Sequence, residues 1–341
     1  MKPGKLPPEL LAELLTDVGA PDSRVVVGPA VGEDCAVVEI GGRLLVAKSD
    51  PITFATERVG WYAVQVNAND VACSGAEPRW FLPTVLIPVN FEADDVRQLF
   101  GEISNACREL GVAIIGGHSE VTLGIDRPIV AGTMLGDLAD RGQMITTSGA
   151  RDGDSIVLTT GIAIEGTAIL AGECEQDLRA AGLDPATIER AAGYVSQPGI
   201  NVVAAARALR ESVEVHSLHD VTEGGVVTAL REIAAASDLG VVFEAESTPV
   251  LPECEEICSA LGIDPLGLLG SGALLATMPS IDAPRALRAL DRIGVTGWEI
   301  GQMIEKELGM WLIDRYGEHE MPVFERDELA RYLESRADGH L

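Results

Sequence analysis

Two α+β domains are what this 341-residue sequence predicts, and three observations carry that expectation. Strand-like and helix-like stretches mix in both halves without the regular alternation of a doubly wound parallel sheet. Two glycines, Gly41-Gly42, separate the apolar runs "CAVVEI" and "LLVAK", the pattern of a β-hairpin. A polar, glycine-rich section, "ADRGQMITTSGARDGDS", then interrupts the chain, and the order of elements partly repeats after it. The length suffices for two cores of ordinary size. The expected division is a helical segment at 1–24, a first domain at 25–147, a second at 148–308 and an extension at 309–341.

Taken in order, residues 5–19 suit a short amphipathic helix with Leu10, Leu11, Leu14 and Leu15 on one side. The hairpin follows, then a helix over 58–73 and a strand at "PTVLIPV". "ADDVRQLFGEISNACREL" spaces Val96, Leu99, Phe100, Ile103 and Cys107 as one apolar helical face. "GVAIIGGHSE" reads as a buried strand entering a glycine turn, and "PIVAGTMLGDL" as another strand. In the second half "IVLTT", "SVEVHSLHDVT", "GVVFEA" and "GLLGSGALLATM" are expected strands. "IEGTAILA", "GGVVTALREIAAAS" and "RALRALDRIG" are expected helices, and "FERDELARYLESRADGHL" a terminal one with Leu329, Tyr332 and Leu333 inward.

Composition excludes several functions. A net charge of −28 with no Lys/Arg cluster is opposite to what phosphate-neutralising nucleic-acid binders need. No apolar run approaches the ~20 residues that span a bilayer, and the first residues lack a signal-peptide core, so a soluble cytoplasmic protein is expected. The six cysteines are scattered through apolar segments and read as small buried hydrophobes. Cys254 and Cys258, four apart, are the one pair with metal-ligand spacing, a weak signal without further ligands. Five histidines and no HExxH pattern give little support to a zinc hydrolase.

The chemistry-bearing residues are four aspartates set among apolar residues and glycines: Asp34 in "VGEDCAVV", Asp50 in "VAKSDPI", Asp70 in "QVNANDVACSGAEP" and Asp220 in "SLHDVTEGG". One such residue is ordinarily a turn or cap, and Asp220 before Gly224-Gly225 suits a helix start. Four together suit Mg²⁺ shared with nucleotide phosphates, because Mg²⁺ takes oxygen ligands, keeps several waters and needs no His/Cys cage. Burying a charge costs several kcal/mol unless it is paired or metal-bound, so Asp70 with Asn67 and Asn69 inside an apolar stretch calls for a reason. "GGHSE" adds Gly116 and Gly117, which allow close backbone approach, and His118 and Ser119, which offer polar groups; an ordinary tight turn has the same look. Neither a Walker A loop nor a Rossmann fingerprint is present.

The segments "GEDCAVVE", "KSDPI", "NANDVACSGAEP", "GGHSEVT", "HDVTEGGVVTALREIA" and "DPLGLLGSGALL" occur in an order that resembles the aminoimidazole ribonucleotide synthetase (PurM)-like superfamily. That superfamily holds selenophosphate synthetase, thiamine-monophosphate kinase and the hydrogenase maturation factor HypE, and the HypE-like branch matches best. The resemblance covers residues 28–276. It implies a PurM-like fold of two α+β domains, a homodimer with a shared N-terminal β-barrel, and ATP with Mg²⁺. It implies Asp34, Asp50, Asp70 and Asp220 as metal ligands, with Asp70, Asp220 and Glu120 in catalysis. Asn67, Asn69, Gly116, Gly117 and Ser119 are implied to join Asp34 and Asp50 around the nucleotide. The expected activity is phosphorylation of a carbonyl, amide or thiamide oxygen on a small-molecule or protein-borne acceptor, or else small-molecule kinase chemistry or nucleotide binding with little turnover. Two departures stand out: the terminal stretch lacks HypE's cysteine, the last one being Cys258, and "SDPITFATERVGW" lacks the kinase's histidine. The terminal His340 is expected to be a frayed residue without a catalytic role, and Glu165 a helix-start carboxylate near the acceptor path.

Overall fold

The computed structural model describes residues 6, 8–16, 18–30, 32–52 and 57–337, and His340 lies outside them. The chain divides into two compact units. One comprises Ala20–Pro29 and Asp34–Met144, here the first unit; the other comprises Met1–Gly19, Ala30–Glu33 and Ile145–Leu341, the second unit. In chain order the elements up to residue 144 are α1 (Pro8–Leu14), β1 (Val25–Val27), β2 (Ala36–Ile40), β3 (Arg43–Ile52), α2 (Val59–Cys73), β4 (Glu77–Pro88), α3 (Ala93–Leu110), β5 (Ala113–Ile114), β6 (His118–Thr122) and β7 (Ile129–Leu138).

In the first unit, β1, β2, β3, β7 and β4 hydrogen-bond as antiparallel neighbours in that order. Strands β5 and β6 then pair parallel with successive stretches of β4. The Gly41-Gly42 turn joins β2 to β3 as the sequence implies, both glycines having positive φ. Helix α2 lies against β3 and β7, and α3 packs on α2. Fourteen of its fifteen residues are buried, so α2 is apolar nearly all round except where Gln65, Asn67, Asn69 and Asp70 interrupt it. Gly132 of β7 permits this approach: a Cβ there would stand 2.6 Å from the Asn67 amide nitrogen and 2.7 Å from the Phe81 ring.

The second unit adds β8 (Asp154–Thr159), α4 (Ile164–Glu173), α5 (Glu175–Ala180), α6 (Pro185–Ala192), α7 (Val203–Ser212), β9 (Ser217–Asp220), α8 (Gly225–Ala236), β10 (Leu239–Glu244) and α9 (Pro252–Leu261). It ends with β11 (Leu274–Pro279), α10 (Ala283–Arg292), β12 (Gly297–Glu305), β13 (Met310–Asp314), β14 (Gly317–Glu320) and α11 (Glu328–Ala337). Its sheet order is β14-β13-β10-β12-β8-β11-β9, antiparallel apart from β10 with β13. Residues Ile156–Leu158 and Leu274–Ala276 are fully buried, which marks β8 and β11 as the centre of this core.

Four expected elements differ. Helix α1 spans Pro8–Leu14 and is shorter than 5–19, with Leu14 55% exposed. Within "VAII" the strand is only Ala113–Ile114, exposed instead of buried, since among the described residues β5 pairs with β4 alone, while Val112 before it is buried. "SVEVHSLHDVT" contracts to Ser217–Asp220 because α7 extends through Ser212. "GLLGSGALLATM" forms a strand only from Leu274, after a loop built on Gly267, Gly270 and Gly272. Helices α2, α3, α8, α10 and α11 fall where the periodicity places them, and Leu329 and Tyr332 are buried as expected.

Candidate functional site

In the first unit the site grows from the pleat of β3. Period-2 alternation sends Leu44, Val46, Lys48, Asp50 and Ile52 to one face. Leu44, Val46 and Ile52 are buried there, in the face that α2 covers. Lys48 and Asp50 therefore emerge beside α2 at the end of an apolar row. On α2, Asn67 and Asp70 are three apart and share one side. The Asn67 amide locks the two elements together: its Oδ1 accepts from the Asp50 N–H at 2.9 Å, and its Nδ2 donates to the carbonyls of Asp50 at 3.1 Å and Ala63 at 2.8 Å. Asn67 thus fixes the backbone of Asp50.

The Asp70 carboxylate is anchored by an ion pair, with Lys48 Nζ 3.1 Å from its Oδ1 and 3.7 Å from Asp50 Oδ2. Only 4% of the Asp70 side chain and 18% of Lys48 are accessible, against 42% of Asp50. Burial alone would depress the Lys48 ammonium, but the charges of Asp70, Asp50 and Asp34 outweigh it and hold the pKa well above the ordinary lysine value. Lys48 is thus charged at every working pH. The carboxylate in an otherwise apolar helix is thus held by an ion pair. Lys48 is also the residue that sequence reasoning missed.

The donor set fits a divalent ion of the Mg²⁺ type. Asp34, Asp50 and Asp70 offer carboxylate oxygens, and with Lys48 among them two formal negative charges remain, enough for one such ion. Asn69 is fully buried in α2. The loop residues Gly116, Gly117, Ser119 and Glu120 lie apart from this packing, exposed along the β5–β6 edge. There Glu120 meets His118 at 3.2 Å and accepts from Thr122 at 2.8 Å; these two hydrogen bonds, Thr122 first, pull its pKa below the ordinary value. Gly117 is obligatory on steric grounds: φ is +144° and a Cβ would lie 2.4 Å from the Pro83 carbonyl oxygen.

Asp220 belongs to the second unit, at the end of β9 opposite Leu274 of β11. It does not cap α8, whose N-cap is Gly224 in the left-handed region. Glu165, in the first turn of α4, is wholly buried rather than a surface dipole partner. Its carboxyl is pushed up to about 7 by burial, against a hydrogen bond with Ser271 and with the neighbouring charges of Glu223, Asp327 and Asp220 reinforcing burial. Asp327 is likewise raised to about 6 by burial, although the Gly224 and Leu329 N–H groups donate to it at 2.6 and 2.7 Å. His216, just before β9, and His219, within it, diverge: His216 sits between Asp154 and Glu214, and His219 meets Glu232 at 2.9 Å. Cys254 and Cys258 pack against each other inside the core, with their sulfurs 3.9 Å apart.

Comparison with known proteins bears on both units. Residues 32–138 match the family model for the AIR synthase related protein, N-terminal domain, and residues 151–311 match that for its C-terminal domain. A Methanocaldococcus jannaschii protein with the provisional name hydrogenase expression/formation protein is 30% identical over 292 residues, 83% of either chain. Carbamoyl dehydratase HypE of Cupriavidus necator is 30% identical over 276 residues, 78% of this chain and 74% of its own. A crystal structure of hydrogenase maturation protein HypE in complex with ATP superposes with a TM-score of 0.71 at 23% identity, covering 94% of this chain and 91% of that one. That likeness shows the two-domain PurM-like fold.

Proposed function

The chain belongs to the AIR synthase related protein family, and from that premise we propose that it is an ATP- and Mg²⁺-dependent enzyme of the HypE type. The observation that carries this reading is the Lys48 ammonium set among Asp34, Asp50 and Asp70, a half-buried polar cluster that metal and phosphate can share. A carbamoyl dehydratase, as the Cupriavidus necator relative is named, must turn an amide oxygen into a leaving group. Transfer of the γ-phosphoryl group of ATP to that oxygen does so: ADP leaves first. Phosphate then departs with the oxygen and a nitrile remains, the nitrogen of the primary amide having given up one proton to solvent at each of the two steps. Asp34, Asp50 and Asp70 of the first unit would hold Mg²⁺, which would supply charge neutralisation at the phosphates; Asp220, in the second unit, is the fourth carboxylate that the resemblance implies. Glu165, neutral up to about pH 7, can share or donate a proton in the second unit, and Ser271 fixes its direction.

The acceptor is a small molecule or a protein-borne group carrying an amide, carbamoyl or thioamide function. A homodimer is supported by the apolar edge of the first unit, where Ile114, Ile115, Val121 and Leu123 are 44–84% exposed along β5, β6 and the turns that follow them. A dimer that used this edge would bring Gly116, Gly117, Ser119 and Glu120 to its boundary. The test is release of ADP and phosphate from ATP with a panel of primary amides, carbamoyl thioesters and carbamoylated cysteine peptides. Acceptor-stimulated release that requires Mg²⁺ supports the reading. Nucleotide binding without release for any acceptor would make the protein a binding partner of another enzyme.

A further inference from the structure

We propose that Lys48 is a resident cation of the first-unit site: its ammonium takes the place of one divalent ion among Asp34, Asp50 and Asp70 and presents a donor to a phosphate oxygen. The inference deepens the nucleotide-binding reading and rests on it for the phosphate half; the metal half stands on the charges of this chain alone. Three carboxylates gathered on β3, α2 and the segment before β2 would suit two divalent ions bridged by shared oxygens. The ammonium lies where such a bridge would form, 3.1 Å from Asp70 and 3.7 Å from Asp50. An ammonium carries three donors, and among the described residues Asp70 is the carboxylate within hydrogen-bond distance of it. With 18% of the side chain still accessible, a donor can reach an incoming oxygen.

The position is fixed from both ends. The pleat of β3 points Lys48 toward α2, and the two Asn67 hydrogen bonds to the Asp50 backbone prevent β3 from sliding against that helix. A lysine held in this way is a charge with a defined location, as a bound metal is, but it cannot be removed by a chelator. Three roles follow for it: it neutralises Asp70, it caps the number of metal ions the cluster accepts, and it remains as a phosphate donor when metal is scarce.

The experiment counts Mn²⁺ bound to the full chain by electron paramagnetic resonance, first without nucleotide. Lys48→Met is expected to bind one more Mn²⁺ than the parent, or to bind it about tenfold more tightly, because a positive charge ~4 Å from the metal position has gone. Lys48→Arg is expected to keep the parental count. Should Lys48→Met fail to fold, Lys48→Gln keeps a hydrogen-bond donor for Asp70 while removing the charge, and the same gain is expected. Equal counts and affinities in the parent and a folded neutral variant overturn the proposal. The second titration adds the non-hydrolysable analogue AMP-PNP. The neutral variant should bind it at least tenfold more weakly at low Mg²⁺ and recover at high Mg²⁺. Loss that Mg²⁺ does not repair removes the substitution of lysine for metal. A parent that binds no AMP-PNP refutes the nucleotide reading and the phosphate half, while the Mn²⁺ count alone decides the metal half.

Discussion

Asp70 shows how one side chain can hold the key to a site and be costly to alter. Its carboxylate is buried, paired with Lys48 and carried by a helix that is otherwise apolar. Glu165 is the counterpart in the second unit, a carboxyl kept neutral by burial. Its effect on stability has a definite sign. Between its ordinary pKa of 4.5 and its folded value of about 7, the folded protein holds a proton that the unfolded chain has released. Stability from this group is therefore full below about pH 4.5 and falls as pH rises through 7, by up to about 3 kcal/mol. Glu165→Gln keeps a partner for Ser271 and should flatten this part of the profile. Urea unfolding at pH 5 and pH 8 checks it: the parent should lose more stability than the variant, and parallel profiles would refute the assignment.

Among the elements, α11 is tied to the loop that precedes α8. Asp327, just before α11, accepts from the Gly224 N–H across the fold and from the Leu329 N–H in the first turn of α11, and Phe324 lies where a Cβ on Gly267 would clash at 2.3 Å. Asp327→Ala should cost about 1–3 kcal/mol, because the buried Gly224 N–H loses its acceptor, while Asp327→Asn should cost less. Urea midpoints, with amide exchange at Gly224, measure both. The helices were legible in the sequence because a 3.6-residue period survives in any context, as in α3. The aspartates were legible because a carboxylate among valines and glycines is out of place. Lys48 was not: a lysine in a strand reads as an exposed, solvated charge, and only the tertiary approach of α2 gives it Asp70. "VAII" was misread for the opposite reason, since an apolar run states the wish for burial but not which surface grants it. Glu165 was seen, yet its burial depends on the 267–272 loop, whose glycines carry no hydrophobic pattern.

At the scale of the molecule, the exposed edge of the first unit predicts association. Leu123→Glu together with Val121→Glu should convert a dimer to monomers at micromolar concentration in light scattering, with each unit still folded by circular dichroism. A parent that is already monomeric would contradict the dimer. The net charge of −28 also makes a metal-shielded, lysine-assisted route the natural one for an anionic nucleotide to approach this chain. The central claim is that the first-unit cluster holds Mg-nucleotide, and calorimetric titration of AMP-PNP into the parent and into Asp70→Asn, each with and without Mg²⁺, tests it most directly. The account predicts Mg²⁺-dependent binding to the parent and affinity about tenfold weaker or worse in a folded Asp70→Asn. Binding that is the same in both proteins, or indifferent to Mg²⁺, would contradict it.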